Sequence, residues 1–179
     1  MKGFTRERIE FSLCGLNCLL CPMQVGGYCP GCGGGPGNQS CAIARCSLDQ
    51  GCYAFCSDCS SYPCARYDEF DAADSFVPHS RRAADLARAR ELGLDTYLEE
   101  LRTKRAILDK LLTGYNDGRR KSFYCAAVYL LPLEDLQNTM AALAGHPICP
   151  VKERAAAAVK LLQAAADNRG INLKLNRKK

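Results

Sequence analysis

The chemistry of this chain is concentrated in its cysteines, because 13 of its 179 residues are cysteine and eleven of these lie between Cys14 and Cys64. The first three, Cys14, Cys18 and Cys21, have the spacing C-x₃-C-x₂-C. Closely spaced thiolates bind zinc or the iron of an iron–sulfur cluster, since both accept sulfur as a soft ligand. The spacing therefore indicates metal binding and leaves the metal open.

Two C-x₂-C pairs follow, in the stretches CPGC (Cys29 and Cys32) and CSDC (Cys56 and Cys59). A tight turn directs both thiolates of such a pair at one centre, and two pairs at this separation match a Cys₄ zinc site. The proline that follows Cys21 is equally typical of an iron–sulfur ligand. Ten cysteines are predicted to bind [4Fe–4S] clusters or Zn²⁺, enough for two centres: Cys14, Cys18, Cys21, Cys29, Cys32, Cys41, Cys46, Cys56, Cys59 and Cys64.

The first residues, MKGFTRERIEF, alternate charged and apolar side chains and have no apolar core, so they do not form a secretory signal. A cytoplasmic protein is expected, in which thiols stay reduced and dense cysteines bind metal more often than they form disulfides. The uncharged stretch 11–44 is interrupted by glycines and prolines, so it is not a membrane helix.

The formal net charge is +5, but a four-thiolate metal site carries roughly two negative charges. Two such sites would reduce the net charge to about +1. The basicity therefore gives little reason to expect binding to nucleic acid.

Cys125 lies outside the Cys-rich stretch, one helical turn after Arg119, Arg120 and Lys121 and near the start of a predicted helix. Cations and a helix N-terminus both lower the pKa of a thiol. Cys125 is therefore a candidate catalytic nucleophile or an extra cluster ligand, and the alternative is an ordinary core cysteine.

The composition changes near residue 65, where cysteine gives way to Ala, Leu, Arg and Asp. This predicts a Cys-rich metal-binding region over 1–65 and an α-helical domain over 66–179. Apolar residues at helical spacing predict five helices, with Ser80 and Asp95 as caps of the first two. Their ranges are 81–92, 95–113, 122–131, 133–144 and 150–168. The fold class is mainly α: a small irregular region packed on a bundle of about four or five helices.

Within the first region, the glycine-rich stretch 31–40 is predicted to be a loop and 41–52 to contain one or two helical turns. Alternating apolar residues at 9–13 and at 171–175 predict two short strands.

The stretches CGLNCLLCP, YCPGC, CAIARC and FCSDCSSYPC resemble an uncharacterised cysteine-rich family, domain of unknown function 3795, which is found widely in anaerobic bacteria and in archaea. The similarity continues through YNDGRRKSFYCAAVYLLPLEDL and VKERAAAAVKLLQ to GINLKL, so it covers nearly the whole chain. The resemblance implies that the ten cysteines named above are the family's pattern and that Cys52 is a local addition. It also implies iron–sulfur ligation, but no activity.

These observations lead to three hypotheses. The first is a cytosolic metalloprotein whose iron–sulfur clusters serve electron transfer or a partner redox enzyme. The second is a zinc-stabilised module that binds a protein or RNA. The third is a sulfur-transfer enzyme that uses Cys125. Whether the protein is an enzyme is open at this point.

Overall fold

The computed structural model describes residues 3–38, 40–68, 70–145 and 149–177. Within these ranges the chain is mainly helical and contains no β-strand, which confirms the predicted fold class. The helices are α1 Pro22–Val25, α2 Ala42–Asp49, α3 Arg82–Leu92, α4 Leu94–Gly114, α5 Lys121–Leu130, α6 Leu133–Ala144 and α7 Val151–Asn168. Three single 3₁₀ turns lie at Cys18–Leu20, Cys56–Asp58 and Ala65–Tyr67.

The longest helix, α4, is the centre of a bundle in which it contacts α3, α5, α6 and α7. Leu98, Leu101, Leu108 and Leu111 form its buried stripe, because residues spaced by three and seven lie on one face of a helix. In α5 every side chain over 124–130 is buried, as expected for a helix that is apolar all round. In the described part of the chain, no helix is both long enough and apolar enough to cross a membrane.

All five predicted helices are present, but the two predicted caps are wrong. The residue before α3 is Arg81, and α3 and α4 are separated by Gly93 alone, which has a φ of +82°. A left-handed glycine reverses the chain in a single residue, which leaves no space for a capping side chain. Asp95 instead lies in the first turn of α4, where its carboxylate is 2.7 Å from Arg8.

The two predicted strands are also wrong. Phe11 is buried, with its ring centroid 5.0 Å from that of Tyr97 and 5.4 Å from that of Phe55. The C-terminal segment instead pairs with a loop, since Asn176 and Asp74 exchange 2.7 Å hydrogen bonds. The alternating apolar residues therefore reflect irregular chain with bends, packed on helices, rather than a sheet.

The Cys-rich part packs on the bundle through the 3₁₀ turn at Cys18–Leu20, which contacts α4 and α5. Gly15, with a φ of +92°, allows a further close approach to α3, because a Cβ at that position would lie 2.4 Å from the carbonyl oxygen of Arg82. A second, smaller cluster of buried residues lies within the Cys-rich part. It contains Phe4, Leu13, Cys14, Ile43, Ala44 and Tyr67. The domain boundary near residue 65 stays a prediction.

Candidate metal centre

Four of the predicted ligands, Cys14, Cys18, Cys32 and Cys41, form what we call the first thiol group. Burial raises the pKa of Cys14 to about 12, and repulsion from the Cys32 and Cys41 thiolates contributes to the increase. Burial likewise raises the pKa of Cys18, with further contributions from Cys32 and Cys14. The four sulfurs are therefore electrostatic neighbours, although they come from positions spread over 28 residues.

Polar groups surround the first thiol group. The hydroxyl of Ser12 lies 3.1 Å from the Cys14 sulfur, and the backbone N–H of Leu16 also lowers the pKa of that thiol. Burial raises the pKa of Cys32, but a hydrogen bond from the Arg6 side chain opposes this increase. These donors would stabilise negative charge on the sulfurs if the thiols were ionised.

The second thiol group consists of Cys46, Cys56, Cys59 and Cys64, which line one cavity of about 40 Å³. Burial raises the pKa of Cys56 to about 11, and its three partners in the group add to the increase. A cavity needs roughly 10–15 Å³ to hold one water molecule, so there is space between these cysteines for a small occupant. Cys46 comes from α2, whereas the other three lie in the segment between α2 and α3.

The C-x₂-C spacings Cys18 to Cys21 and Cys56 to Cys59 adopt the turn expected of metal-binding knuckles. The backbone N–H of Cys59 donates to the carbonyl oxygen of Cys56 at 3.1 Å, and that of Cys21 donates to Cys18 at 3.0 Å. Side chains three residues apart eclipse each other in a 3₁₀ turn, so both thiols of each pair are on the same side. The Asp58 carboxylate accepts a 3.0 Å hydrogen bond from the N–H of Phe55, which holds the second turn.

Tyr67 lies between the two thiol groups and lines the cavity of the second. Its side chain is buried, and no residue that the structure describes forms a hydrogen bond of standard geometry with its hydroxyl. Burial raises the pKa of Tyr67, and the closeness of Cys56 and then of Cys14 raises it further. Sequence reasoning missed this residue, because a tyrosine three positions after a cysteine has no distinctive pattern.

The remaining two predicted ligands, Cys21 and Cys29, are neighbours of each other, and Cys21 adjoins Cys125 on α5. Burial raises the pKa of Cys21, and the Cys29 thiolate adds to this. Burial also raises the pKa of Cys125 to about 12, despite the lowering effect of Lys121 and Arg105. The expected net lowering of the Cys125 pKa is therefore wrong, since its desolvation outweighs the effect of the nearby cations.

His79, Cys52 and Cys149, which the sequence did not mark as ligands, belong to neither thiol group. The His79 ring stacks on Phe70 and its Nδ1 lies 2.8 Å from the Phe70 carbonyl oxygen, while His146 is outside the described residues. Cys52 is exposed and Cys149 is half-buried, and neither lines the cavity of the second thiol group.

All 13 cysteines are free thiols. Over residues 3–38, 40–68, 70–145 and 149–177, no three His, Cys, Asp or Glu side chains form a ready-made metal-binding arrangement. A cysteine sulfur moves by rotation about one bond, between staggered positions that are all accessible in principle. Each thiol group contains four soft sulfur ligands, which fit Zn²⁺ or an iron–sulfur cluster in type and number.

Comparison of the chain with protein-family models, with curated proteins and with solved structures gives no match. The resemblance to domain of unknown function 3795 therefore stays a prediction from the cysteine stretches.

Proposed function

We propose that this protein is a cytosolic metalloprotein with two cysteine-ligated centres, one at each thiol group. In the first form of the proposal both centres are [4Fe–4S] clusters, and the protein transfers electrons to or from a partner redox enzyme. The observation that carries the proposal is the second thiol group, whose four cysteines, one from α2 and three from the segment that follows it, line one cavity. An unpartnered buried hydroxyl, that of Tyr67, lines the same cavity.

A bound metal gives this arrangement a physical reason. Thiols are weak hydrogen-bonding groups, and four of them around a cavity neither fill it nor satisfy the adjacent hydroxyl. A metal ion deprotonates its thiol ligands and compensates the charge that results. It would also cross-link a glycine-rich segment that buries few apolar side chains of its own.

The surroundings of the first thiol group favour iron. Hydrogen bonds to the sulfurs of a cluster help to set its reduction potential. Ser12, Leu16 and Arg6 supply such donors around Cys14 and Cys32. A cluster would supply the one-electron chemistry, while these side chains of the protein hold its ligands and adjust their charge.

The size of the second cavity favours zinc, which gives a second candidate function. A volume of about 40 Å³ accommodates a single ion as it stands, whereas an eight-atom cubane would require its walls to move outward. In that form both centres are structural, and the helical bundle presents a surface to a protein or RNA partner. The contacts of Cys125 favour neither form and give no support to a sulfur-transfer reaction, since its thiol is 2% exposed with a raised pKa.

Purification without oxygen, followed by analysis of iron, zinc and acid-labile sulfide and by an absorption spectrum, tests the proposal. Iron and sulfide in equal amounts, with visible absorption that dithionite bleaches, would support the redox form. Two zinc ions per chain without sulfide would support the binding module and exclude electron transfer. A chain that takes up neither metal, even after anaerobic reconstitution, would overturn the proposal.

A further inference from the structure

We infer that Tyr67 is a positioning residue for the second centre, where its hydroxyl donates a hydrogen bond to the Cys56 sulfur once that sulfur is bound to metal. The inference rests on the proposed function, because it requires a metal at the second thiol group.

The Tyr67 hydroxyl is a buried polar group without a partner among the described residues. Tyr67 is 4% exposed, and its hydroxyl has no hydrogen-bond partner of standard geometry in the described part of the chain. Buried side-chain hydroxyls nearly always have a partner, so an orphan that lines a cavity indicates an acceptor at that cavity.

Cys56 is the acceptor closest at hand, because Tyr67 and Cys56 line the same cavity and, after burial, Cys56 is the neighbour that most raises the pKa of Tyr67. A neutral thiol is a weak acceptor, but a thiolate is a strong one. Since a metal ion deprotonates the thiols that bind it, metal binding would turn Cys56 into the partner that the Tyr67 hydroxyl lacks.

Contacts with neighbouring side chains hold the Tyr67 ring in place. The Arg82 guanidinium lies over the Tyr67 ring, 3.7 Å from its centroid, and an ion pair with Asp71 holds the guanidinium in place. The rings of Tyr62 and Phe70 pack edge-on at 5.5 Å and 5.9 Å. These contacts fix the direction of the hydroxyl, and the cation above the ring makes the phenol a better donor.

Tyr62 provides a matched control. Its side chain lines the same cavity, but its hydroxyl accepts a 3.3 Å hydrogen bond from Nη1 of Arg82. The variants Y67F and Y62F therefore each remove one hydroxyl from a ring near the same cavity, and only Y67F removes the one directed at a sulfur.

The test is a competition between a chelator and the metal-loaded full chain. The metal that the wild type retains and C59A loses is assigned to the second thiol group. We expect Y67F to bind that metal about 10- to 100-fold more weakly, the usual effect of removing a group that hydrogen-bonds to a metal ligand. Its affinity for the metal at the first thiol group should not change. Y62F should match the wild type at both centres. If the metal is iron, the reduction potential of the second centre should also fall in Y67F, because a donor to sulfur stabilises the more negative reduced cluster.

Two results would overturn the inference alone. In the first, the wild type loads two centres and Y67F retains the metal at both equally well. In the second, Y67F loses the metal of both centres and its helical circular-dichroism signal as well. The second result would show that the hydroxyl serves packing. A wild-type chain that binds no metal would overturn the proposed function, and the inference with it.

Discussion

The side-chain amide of Asn17 donates a 3.0 Å hydrogen bond to the carboxylate of Asp85, which joins the Cys-rich part of the chain to α3. The hydroxyl of Tyr97 donates to the amide oxygen of Asn17 at 3.0 Å, and the backbone N–H of Asn17 donates to the hydroxyl of Tyr129 at 3.3 Å. All four side chains are buried. Because Asn17 lies between two cysteines of the first thiol group, this network fixes that group against three helices.

The first prediction concerns the stability that this network contributes. Asn17→Ala leaves Tyr97 without its acceptor and removes a donor from a buried carboxylate. We expect the free energy of unfolding to fall by about 1–3 kcal/mol, the usual cost of a buried polar group that loses its partner. Urea denaturation followed by circular dichroism measures the change.

Asn172→Ala is the control for that measurement, because Asn172 is exposed and its side-chain oxygen accepts a single 2.9 Å bond from the N–H of Lys174. Its loss should cost less than about 0.5 kcal/mol. Equal effects of the two substitutions would contradict a structural role for the buried network.

The second prediction is a pH dependence caused by Asp85. Burial raises its pKa from 3.8 to about 6, although Arg81, Lys104, Tyr97 and Asn17 all act to lower it. The folded state therefore holds a proton that the unfolded state has released, so the stability contributed by protonated Asp85 is present below about pH 4 and is lost as the pH rises toward 6. The loss is at most about 3 kcal/mol, since one pKa unit corresponds to about 1.4 kcal/mol.

Asp85→Asn tests this dependence, because an amide does not titrate. We expect the variant to gain stability relative to the wild type as the pH is raised from 4 to 6, measured by urea denaturation at intervals across that range. The stability of Asp167→Asn, which replaces an exposed carboxylate of α7, should vary with pH in the same way as that of the wild type. The prediction would be contradicted if the difference in free energy of unfolding between the wild type and D85N did not vary with pH.

The sequence predicted the helices well because their signals are local. The stripe of leucines in α4 and the proline at 132 mark a helix and a helix start wherever the chain places them. The caps and the strands were wrong because tertiary contacts decide them. Gly93 reverses the chain before Asp95 can cap it, and Phe11 packs on Tyr97 rather than in a sheet.

The sequence also predicted which cysteines are candidate ligands, but not how they are grouped. Cys41 belongs to the first thiol group, whereas Cys46 lines the cavity of the second. Cys41 precedes α2 in an extended conformation and Cys46 lies within the helix, so the start of α2 at Ala42 separates them. Tyr67 and the closeness of Cys21 to Cys125 likewise depend on chain segments that meet only in the folded protein.

The third prediction concerns thiol reactivity. Cys52 is exposed, whereas Cys125 is 2% exposed and burial raises its pKa to about 12. Iodoacetamide near neutral pH should therefore modify Cys52 in the folded protein and Cys125 only after denaturation, because the thiolate is the reactive form. Peptide mass spectrometry at successive times gives the order of labelling. Rapid modification of Cys125 in the folded chain would contradict its burial and would support a nucleophilic role.

The fourth prediction separates the two proposed centres by removing one ligand from each. Cys59→Ala removes a sulfur from the cavity of the second thiol group, and Cys41→Ala removes one from the first. Because a site with three of its four sulfurs binds metal more weakly and incompletely, each variant should retain about half of the wild-type metal after gel filtration with a chelator. The double variant should retain almost none.

Cys52→Ala is the matched control for these variants, because Cys52 is the cysteine of this region that is exposed and does not line the cavity. It should keep the full metal content. The helical signal of α3–α7 should persist in every variant, since the buried leucines of α4 and α5 form a core that involves neither thiol group. A Cys52→Ala protein that loses as much metal as Cys59→Ala would show that the cavity does not define the second centre. Full metal content in the double variant would show that neither thiol group binds it.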